Sequence, residues 1–99
     1  MYKLSNLAAK DFEQIFEYTL LNYGVKQADD YVEGLLGVLL TFSEQPFMGR
    51  ECPDISLGLR RHDFNRHAIF YRSQGAKVYV VRILHQQMEP LRHFSLEIE

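Results

Sequence analysis

The sequence is poor in the residues that build cross-linked or metal-centred folds. Its 99 residues include no tryptophan and a single cysteine, Cys52, which excludes a disulfide scaffold within the chain. No activating base can be assigned to this cysteine, so we interpret it as a buried or incidental thiol. There is no Cys-x-x-Cys pair, no glycine-rich phosphate loop and no pair of histidines four residues apart. We therefore expect neither a metal nor another cofactor.

Long apolar runs are also missing. None approaches the ~18–20 residues of a membrane span. Residues Met1–Asn6 lack the apolar stretch and small-residue cleavage site of a secretory signal. With 46% hydrophobic and 24% charged residues, the composition is that of an ordinary globular domain. The sequence thus predicts a single cytoplasmic domain over residues 1–99 and no membrane partner.

The formal net charge of −2 conceals an uneven distribution of charge along the chain. Residues 1–49 contain three lysines against seven acidic residues, whereas residues 60–93 contain seven basic residues against two acidic ones. All four histidines lie in that second segment. Such a division fits either an acidic helical layer that pairs with basic strands inside one fold, or a basic face that binds an acidic partner.

Two amphipathic helices are predicted in the first half of the chain. Ser5 is suited to cap the first helix, and apolar residues then recur at steps of three and four until Gly24, which is expected to end it. The second helix begins within three residues and stops before Pro46. Its Gly34 and Gly37 should each cost about 1 kcal/mol relative to alanine, which suggests that either the first helix or a partner packs closely at these positions.

The second half of the chain has the pattern of β-strands. Runs rich in apolar and aromatic residues occupy Leu59–Phe64, His67–Arg72 and Lys77–His85, and Asn65 can take a positive φ in the turn between the first two. Tyr2–Leu4 adds a short edge or joining strand. The predicted fold class is α+β, with the order β-α-α-β-β-β and an N-terminal helical hairpin on a small antiparallel sheet.

Arg82 and His85 stand out in the most apolar strand. Burying an arginine alone is expensive, so Arg82 either pairs with a carboxylate under the helices or points into a functional groove. Strict strand alternation places it on one face with Val78, Val80 and Leu84. His85 lies at the end of the strand, a common place for site residues, although the sequence shows no partner for it.

The strands also carry basic and aromatic residues close together. Such a surface could hold phosphate, stack bases or bind the carboxylates of an acidic, apolar peptide. The isoelectric point of about 6.1 argues against nucleic acid as the main ligand, because dedicated binders usually exceed ~9. This predicted basic–aromatic surface consists of Arg60, Arg61, His62, Phe64, Arg66, Phe70, Tyr71 and Arg72.

Taken in order, these motifs resemble the ParE branch of the ParE/RelE toxin superfamily, from bacterial type II toxin–antitoxin pairs. The resemblance covers almost the whole chain. The segments that carry it are Tyr2–Ser5 and Ala8–Phe12 at the first helix, Tyr23-Gly24 at the helix junction, the Pro-x-x-Gly-Arg connection Pro46–Arg50, and the strand segments Gly58–Arg60, Ile69–Arg72 and Val81–His85.

The resemblance implies a helical hairpin on a small sheet, a cognate antitoxin that wraps the toxin in a hetero-oligomer, and non-enzymatic poisoning of DNA gyrase. The residues expected to contact gyrase and cause toxicity are Arg60, Arg82, His85, Met88 and Arg92. The residues expected to bind the antitoxin are Arg61, Phe64, Arg66, Phe70 and Arg72. No direct nucleic-acid specificity is expected.

Two other functions stay open at this point. The RelE branch cleaves messenger RNA on the ribosome, and Arg60, Arg82 and His85 could be remnants of such a site. Against this, no tyrosine follows His85 and the chain is acidic overall. A protein that only binds its antitoxin is the other alternative. The apolar residues of the tail either contribute to the gyrase surface or fold back on the sheet; these are Met88, Leu91 and Phe94.

Overall fold

The computed structural model describes residues 2–75, 77–90 and 92. Within them lie two helices, α1 (Asn6–Tyr23) and α2 (Val25–Glu44). The strands in the same residues are β1 (Tyr2–Leu4), β2 (Arg50–Glu51), β3 (Leu59–Phe64), β4 (His67–Gln74) and β5 (Lys77–His85). Neither helix of this described part combines the length and apolarity that a membrane crossing requires. The predicted α+β class is confirmed.

Local sequence determines both ends of α1. The hydroxyl oxygen of Ser5 accepts the N–H of Ala8 at 2.9 Å, and the same hydroxyl donates to the carbonyl of Val81 at 2.7 Å. The cap therefore also ties the start of the helix to the sheet. Gly24 ends α1 with φ +93° and ψ 175°, a backbone conformation that essentially only glycine adopts. Because α2 begins at the next residue, the two helices form a tight hairpin.

The strands form one sheet in the order β1-β5-β4-β3-β2. As predicted, β3, β4 and β5 pair antiparallel, and Asn65 in the first turn has a φ of 52°. By contrast, β1 pairs parallel with β5, so the sheet is mixed and not wholly antiparallel. The segment interpreted as an irregular connection contributes β2, which pairs with Arg60 and Arg61 at the other edge.

The two faces of the sheet have different environments. One face packs under the helices and contributes Ile69, Tyr71, Val78, Val80 and Ile83 to the main core, together with Ala8, Ile15, Leu35, Leu39 and Phe42 from α1 and α2. The opposite face, which we call the open face, holds a smaller buried cluster of Leu59, Ala68, Phe70 and Leu84. Residues 52–58 run beside this second cluster through Ile55.

A β-bulge in β5 changes the predicted alternation of side chains. The pairing of β4 with β5 skips Val81, so one extra residue stands in β5. Val80 and Ile83 therefore both enter the core under the helices, whereas Leu84 joins the cluster on the open face. The prediction that Leu84 shares a face with Val80 is wrong, because a one-residue insertion reverses the side-chain phase.

Candidate functional site

Arg82 is held by a buried carboxylate. Its Nε lies 2.8 Å from Oδ2 of Asp11 and its Nη2 lies 3.0 Å from Oδ1, and the N–H of Ile83 donates to the same Oδ2 at 3.0 Å. The side chains of Arg82 and Asp11 are only 11% and 10% exposed. Arg82 was expected either to pair with a carboxylate under the helices or to point into a functional groove, and the structure shows the pair with a carboxylate. Asp11 was missed as its partner, although its spacing from Ala8 and Ile15 places it on the buried face of α1.

Arg60 fastens the connection between α2 and β2. Its Nη1 donates to the carbonyl of Gly49 at 2.6 Å and to that of Phe47 at 3.4 Å. The guanidinium also lies 4.9 Å from the Phe47 ring centroid, and Nη2 is 3.5 Å from a carboxylate oxygen of Glu51. Because it donates to the backbone carbonyls of Phe47 and Gly49, Arg60 has a clear structural role in this loop.

Tyr71 holds the same connection from the core. Its hydroxyl donates to the carbonyl of Pro46 at 3.0 Å and accepts the N–H of Gly49 at 2.8 Å. The ring stacks on Phe42 with centroids 4.2 Å apart, and burial raises the pKa of the Tyr71 phenol. Tyr71 is fully buried, so its assignment to the basic–aromatic surface is wrong.

The remaining members of that surface are divided between the two faces of the sheet. On the open face, the Arg61 guanidinium lies 5.6 Å from the Phe70 ring centroid, and its Nε is 2.8 Å from Oδ1 of Asp63. Phe70 is 0% exposed and belongs to the buried cluster of the open face, so its side chain offers no surface to a partner in this structure. Phe64 packs against the core under the helices. One continuous surface was therefore a wrong prediction, because adjacent residues of a strand point to opposite faces.

The other two arginines of the set differ in their engagement. Arg72 secures the loop beside the open face, since its Nη1 donates to the carbonyl of Leu57 and its Nη2 to Oγ of Ser56, both at 2.6 Å. Arg66 lies exposed in the β3–β4 turn, and its carbonyl accepts the N–H of Gln86 at 2.9 Å. Its exposed position leaves the Arg66 side chain accessible to a partner.

A cluster of three ring side chains lies where β4 begins and β5 ends. The hydroxyl of Tyr31 is 2.6 Å from Nδ1 of His67, and the His67 ring meets that of His85 edge-on at 5.6 Å. Nδ1 of His85 in turn accepts the N–H of Gln87 at 3.1 Å. Burial lowers the pKa of His67, the positive charge that His85 can carry lowers it further, and the negative charge of Asp11 opposes the shift. His85 thus has structural partners that the sequence did not show.

The lowered pKa of His67 predicts weaker folding in mild acid. The unfolded chain binds a proton at the ordinary histidine pKa of about 6.5, whereas the folded chain resists protonation there. The free energy of unfolding should therefore be highest above pH 6.5 and fall as the pH drops from 6.5 toward the lower folded value. Urea unfolding at several pH values measures this slope. His67→Gln should reduce the slope, and an unchanged slope would contradict the assignment to His67.

The tail candidates lie on the surface after β5. Met88 is 45% exposed and Arg92 is exposed, while Leu91 and Phe94 lie outside the described residues. Glu89 and Pro90 help to line a cleft of about 260 Å³, whose lining includes both acidic and basic side chains. The other lining residues are Arg50, Glu51, Cys52, Asp54, Ile55 and Arg61.

Cys52 is buried, as one of the two interpretations of this thiol required. Burial raises the pKa of its thiol, which makes the nucleophilic thiolate scarcer. Among the described residues no group of three histidine, cysteine or acidic side chains could hold a metal ion.

The sequence matches the family model of the "ParE toxin of type II toxin-antitoxin system, parDE" over residues 2–90. The chain belongs to the ParE toxin family. It is 36% identical over 94 residues to Toxin ParE1 of Caulobacter vibrioides, which covers 95% of this chain and 97% of the relative. It is also 36% identical over 89 residues to Toxin ParE1 of Mycobacterium tuberculosis, covering 89% and 91% of the two chains. The resemblance inferred from the motifs is thereby confirmed, and the chain is a toxin of a type II toxin–antitoxin system.

A solved structure shows the same fold at low sequence identity. A chain of the "Chromosomal ParDE TA system from P. aeruginosa" superimposes with a TM-score of 0.73 at 19% identity. The match covers 85% of this chain and 92% of that one. The helical hairpin and its sheet are therefore a shared architecture of this toxin and a ParDE protein.

Proposed function

We propose that this ParE-family toxin poisons DNA gyrase without enzymatic activity and is neutralised by a cognate antitoxin in the cytoplasm. The observation that carries the proposal is family membership over residues 2–90. The contacts that Arg60 and Arg82 make inside the protein also support a non-enzymatic function. A ribonuclease of the RelE type needs donors directed at the scissile phosphate. Arg60 instead donates to backbone carbonyls, and Arg82 binds the Asp11 carboxylate.

Within this proposal, the gyrase contact lies on the exposed tail. Met88 and Arg92 have accessible side chains after β5, and His85 lies half-buried next to them. Arg60 and Arg82, which complete the predicted toxicity set, act on gyrase only through the structure that they stabilise. Methionine and arginine are both enriched at protein interfaces, and arginine is also frequent among the residues that contribute most binding energy.

The proposed antitoxin contact lies on the open face and the β3–β4 turn. Arg61, Arg66 and Arg72 belong to this side of the molecule, while seven of the 13 acidic residues lie in the two helices. An acidic, apolar antitoxin segment is attracted to such a face and repelled by the helical layer. A segment that folds as it binds can wrap this surface, which fits the expected hetero-oligomer.

A gyrase supercoiling and DNA-cleavage assay with the purified toxin, with and without ATP, tests the target. We expect accumulated gyrase–DNA cleavage complexes or lost supercoiling. The double variant Met88→Ala, Arg92→Ala should fold normally and lose at least about tenfold in potency, since hot-spot truncations cost 1 kcal/mol or more each. Lys77→Ala is the matched control, because this exposed cation lies at the other end of β5 and should leave potency unchanged.

The other functions make different predictions in the same preparation. Inactivity against gyrase together with ribosome-dependent cleavage of messenger RNA would identify a RelE-type nuclease. Inactivity in both assays with retained antitoxin binding would identify a protein that only binds its antitoxin. If the tail variant and the wild type inhibit gyrase equally well, gyrase would still be the target, but the tail would not be part of the contact.

A further inference from the structure

The outer flank of α1 carries large apolar side chains in solvent. Leu7, Tyr18 and Leu21 are 38%, 62% and 79% exposed. Together with exposed Gln14 they are separated by seven, four and three residues, the spacing that aligns side chains in one stripe along a helix. At about 100° per residue, the stripe is rotated by about 90° from the side of α1 that is buried in the core. The stripe is therefore a second apolar seam beside the core of the chain.

Two opposite charges border this seam. Lys10 and Glu17 are both exposed, and they lie four residues before and three residues after Gln14. Neither takes part in the ion pairs found among the described residues. Read in either direction from Gln14, α1 presents a charged residue three or four positions away and a leucine seven positions away. The charge is positive on the N-terminal side (Lys10) and negative on the C-terminal side (Glu17).

We propose that α1 packs antiparallel against α1 of a second copy of this chain, around a two-fold axis at Gln14. In that arrangement Leu7 of one copy faces Leu21 of the other. Lys10 of one copy lies beside Glu17 and over the ring of Tyr18 of the other, which adds a cation–π contact to the ion pair. A two-fold interface is self-complementary, so every one of these contacts occurs twice.

The sequence of the flank favours a second copy over an unrelated helix. Large apolar side chains exposed in a row are unusual in a monomer, and an occupant must also satisfy a cation at one end and an anion at the other. The same chain, reversed, places Leu7 opposite Leu21 and brings Glu17 within one residue of the position that faces Lys10. The inference goes beyond the proposed gyrase and antitoxin contacts, because those lie on the sheet and the tail and leave this flank accessible.

Sedimentation equilibrium of the purified toxin, at concentrations up to about 0.5 mM, tests the dimer. We expect a reversible monomer–dimer equilibrium. Leu21→Glu places two carboxylates against Leu7 side chains and should raise the dissociation constant at least 100-fold. Leu57→Glu is the matched control, because Leu57 is 82% exposed on the loop before β3 and should leave the constant unchanged.

Exchange of the two charges tests the antiparallel register itself. Lys10→Glu and Glu17→Lys should each raise the dissociation constant about 3- to 10-fold, since each creates two like-charge pairs across the axis. The double variant restores opposite charges and should return to within about twofold of the wild type. Circular dichroism and thermal midpoints control for folding. A wild type that stays monomeric, or a double variant weaker than both single variants, would overturn the proposal.

Discussion

Replacing Asp11 with alanine is expected to lower the free energy of unfolding by about 3–5 kcal/mol. The substitution leaves the Arg82 guanidinium, only 11% exposed, without its carboxylate, and it removes the acceptor of the Ile83 N–H. Losing one member of a buried ion pair is costly because the other charge stays in a poorly solvated position. For a domain of this size the loss is a large fraction of the usual total of about 5–15 kcal/mol.

Urea unfolding followed by circular dichroism measures the effect. Asp30→Ala is the matched control, since it removes a carboxylate from an ion pair with Lys26 whose side chains are 61% and 89% exposed. An exposed pair contributes little, so this variant should lose less than about 0.5 kcal/mol. The double variant Asp11→Leu, Arg82→Met should recover part of the loss by replacing the pair with apolar contacts. Equal losses for Asp11→Ala and Asp30→Ala would contradict the buried-pair explanation.

Local patterns predicted the elements of this fold well, because their causes are local. The helix ends follow from the Ser5 cap and from Gly24, and the β3–β4 turn follows from the positive φ of Asn65. The parallel pairing of β1 with β5 and the short β2 escaped prediction. The partner of β1 lies 76 residues away in the chain, and β2, whose partner β3 is close in sequence, has only two residues. Strands of two or three residues carry too little pattern to show which strand they pair with.

The candidate site was harder to predict for the same reason. Asp11 and Arg82 are separated by 71 residues, so only the fold brings them together. The bulge at Val81 could not be read from an apolar run in which every position resembles its neighbour. Strand alternation was available, however, and it already separates Arg60 from Arg61. Applying it to the basic and aromatic residues would have divided that predicted surface correctly.

Replacing Gly49 with alanine is expected to lower the free energy of unfolding by about 2–4 kcal/mol. A Cβ atom there would lie 2.7 Å from the Tyr71 hydroxyl oxygen, 2.9 Å from a carbon of its ring and 3.0 Å from the carbonyl oxygen of Arg61. The Tyr71 ring cannot retreat, because it is fully buried and stacked on Phe42. Overpacking a rigid core typically costs about 1–3 kcal/mol, and displacing the ring also weakens the two hydrogen bonds of its hydroxyl, one buried and one partly buried.

Two other glycines turn this prediction into a graded series. A Cβ on Gly37 meets nothing within 4 Å, so neither α1 nor any other described part of the chain packs closely there. Gly37→Ala should therefore stabilise α2 by about 0.5–1 kcal/mol. Gly34 does have a close neighbour, since its Cβ would lie 2.8 Å from the tip of the Phe64 ring. That ring is only partly buried and can shift, so Gly34→Ala should fall between the other two variants. We expect the urea midpoint to be highest for Gly37→Ala, intermediate for Gly34→Ala and lowest for Gly49→Ala. This order would confirm that the contact distance and the rigidity of the neighbouring side chain determine how much stability each substitution loses. A Gly49→Ala midpoint equal to that of the wild type would show that the Tyr71 contact yields without loss.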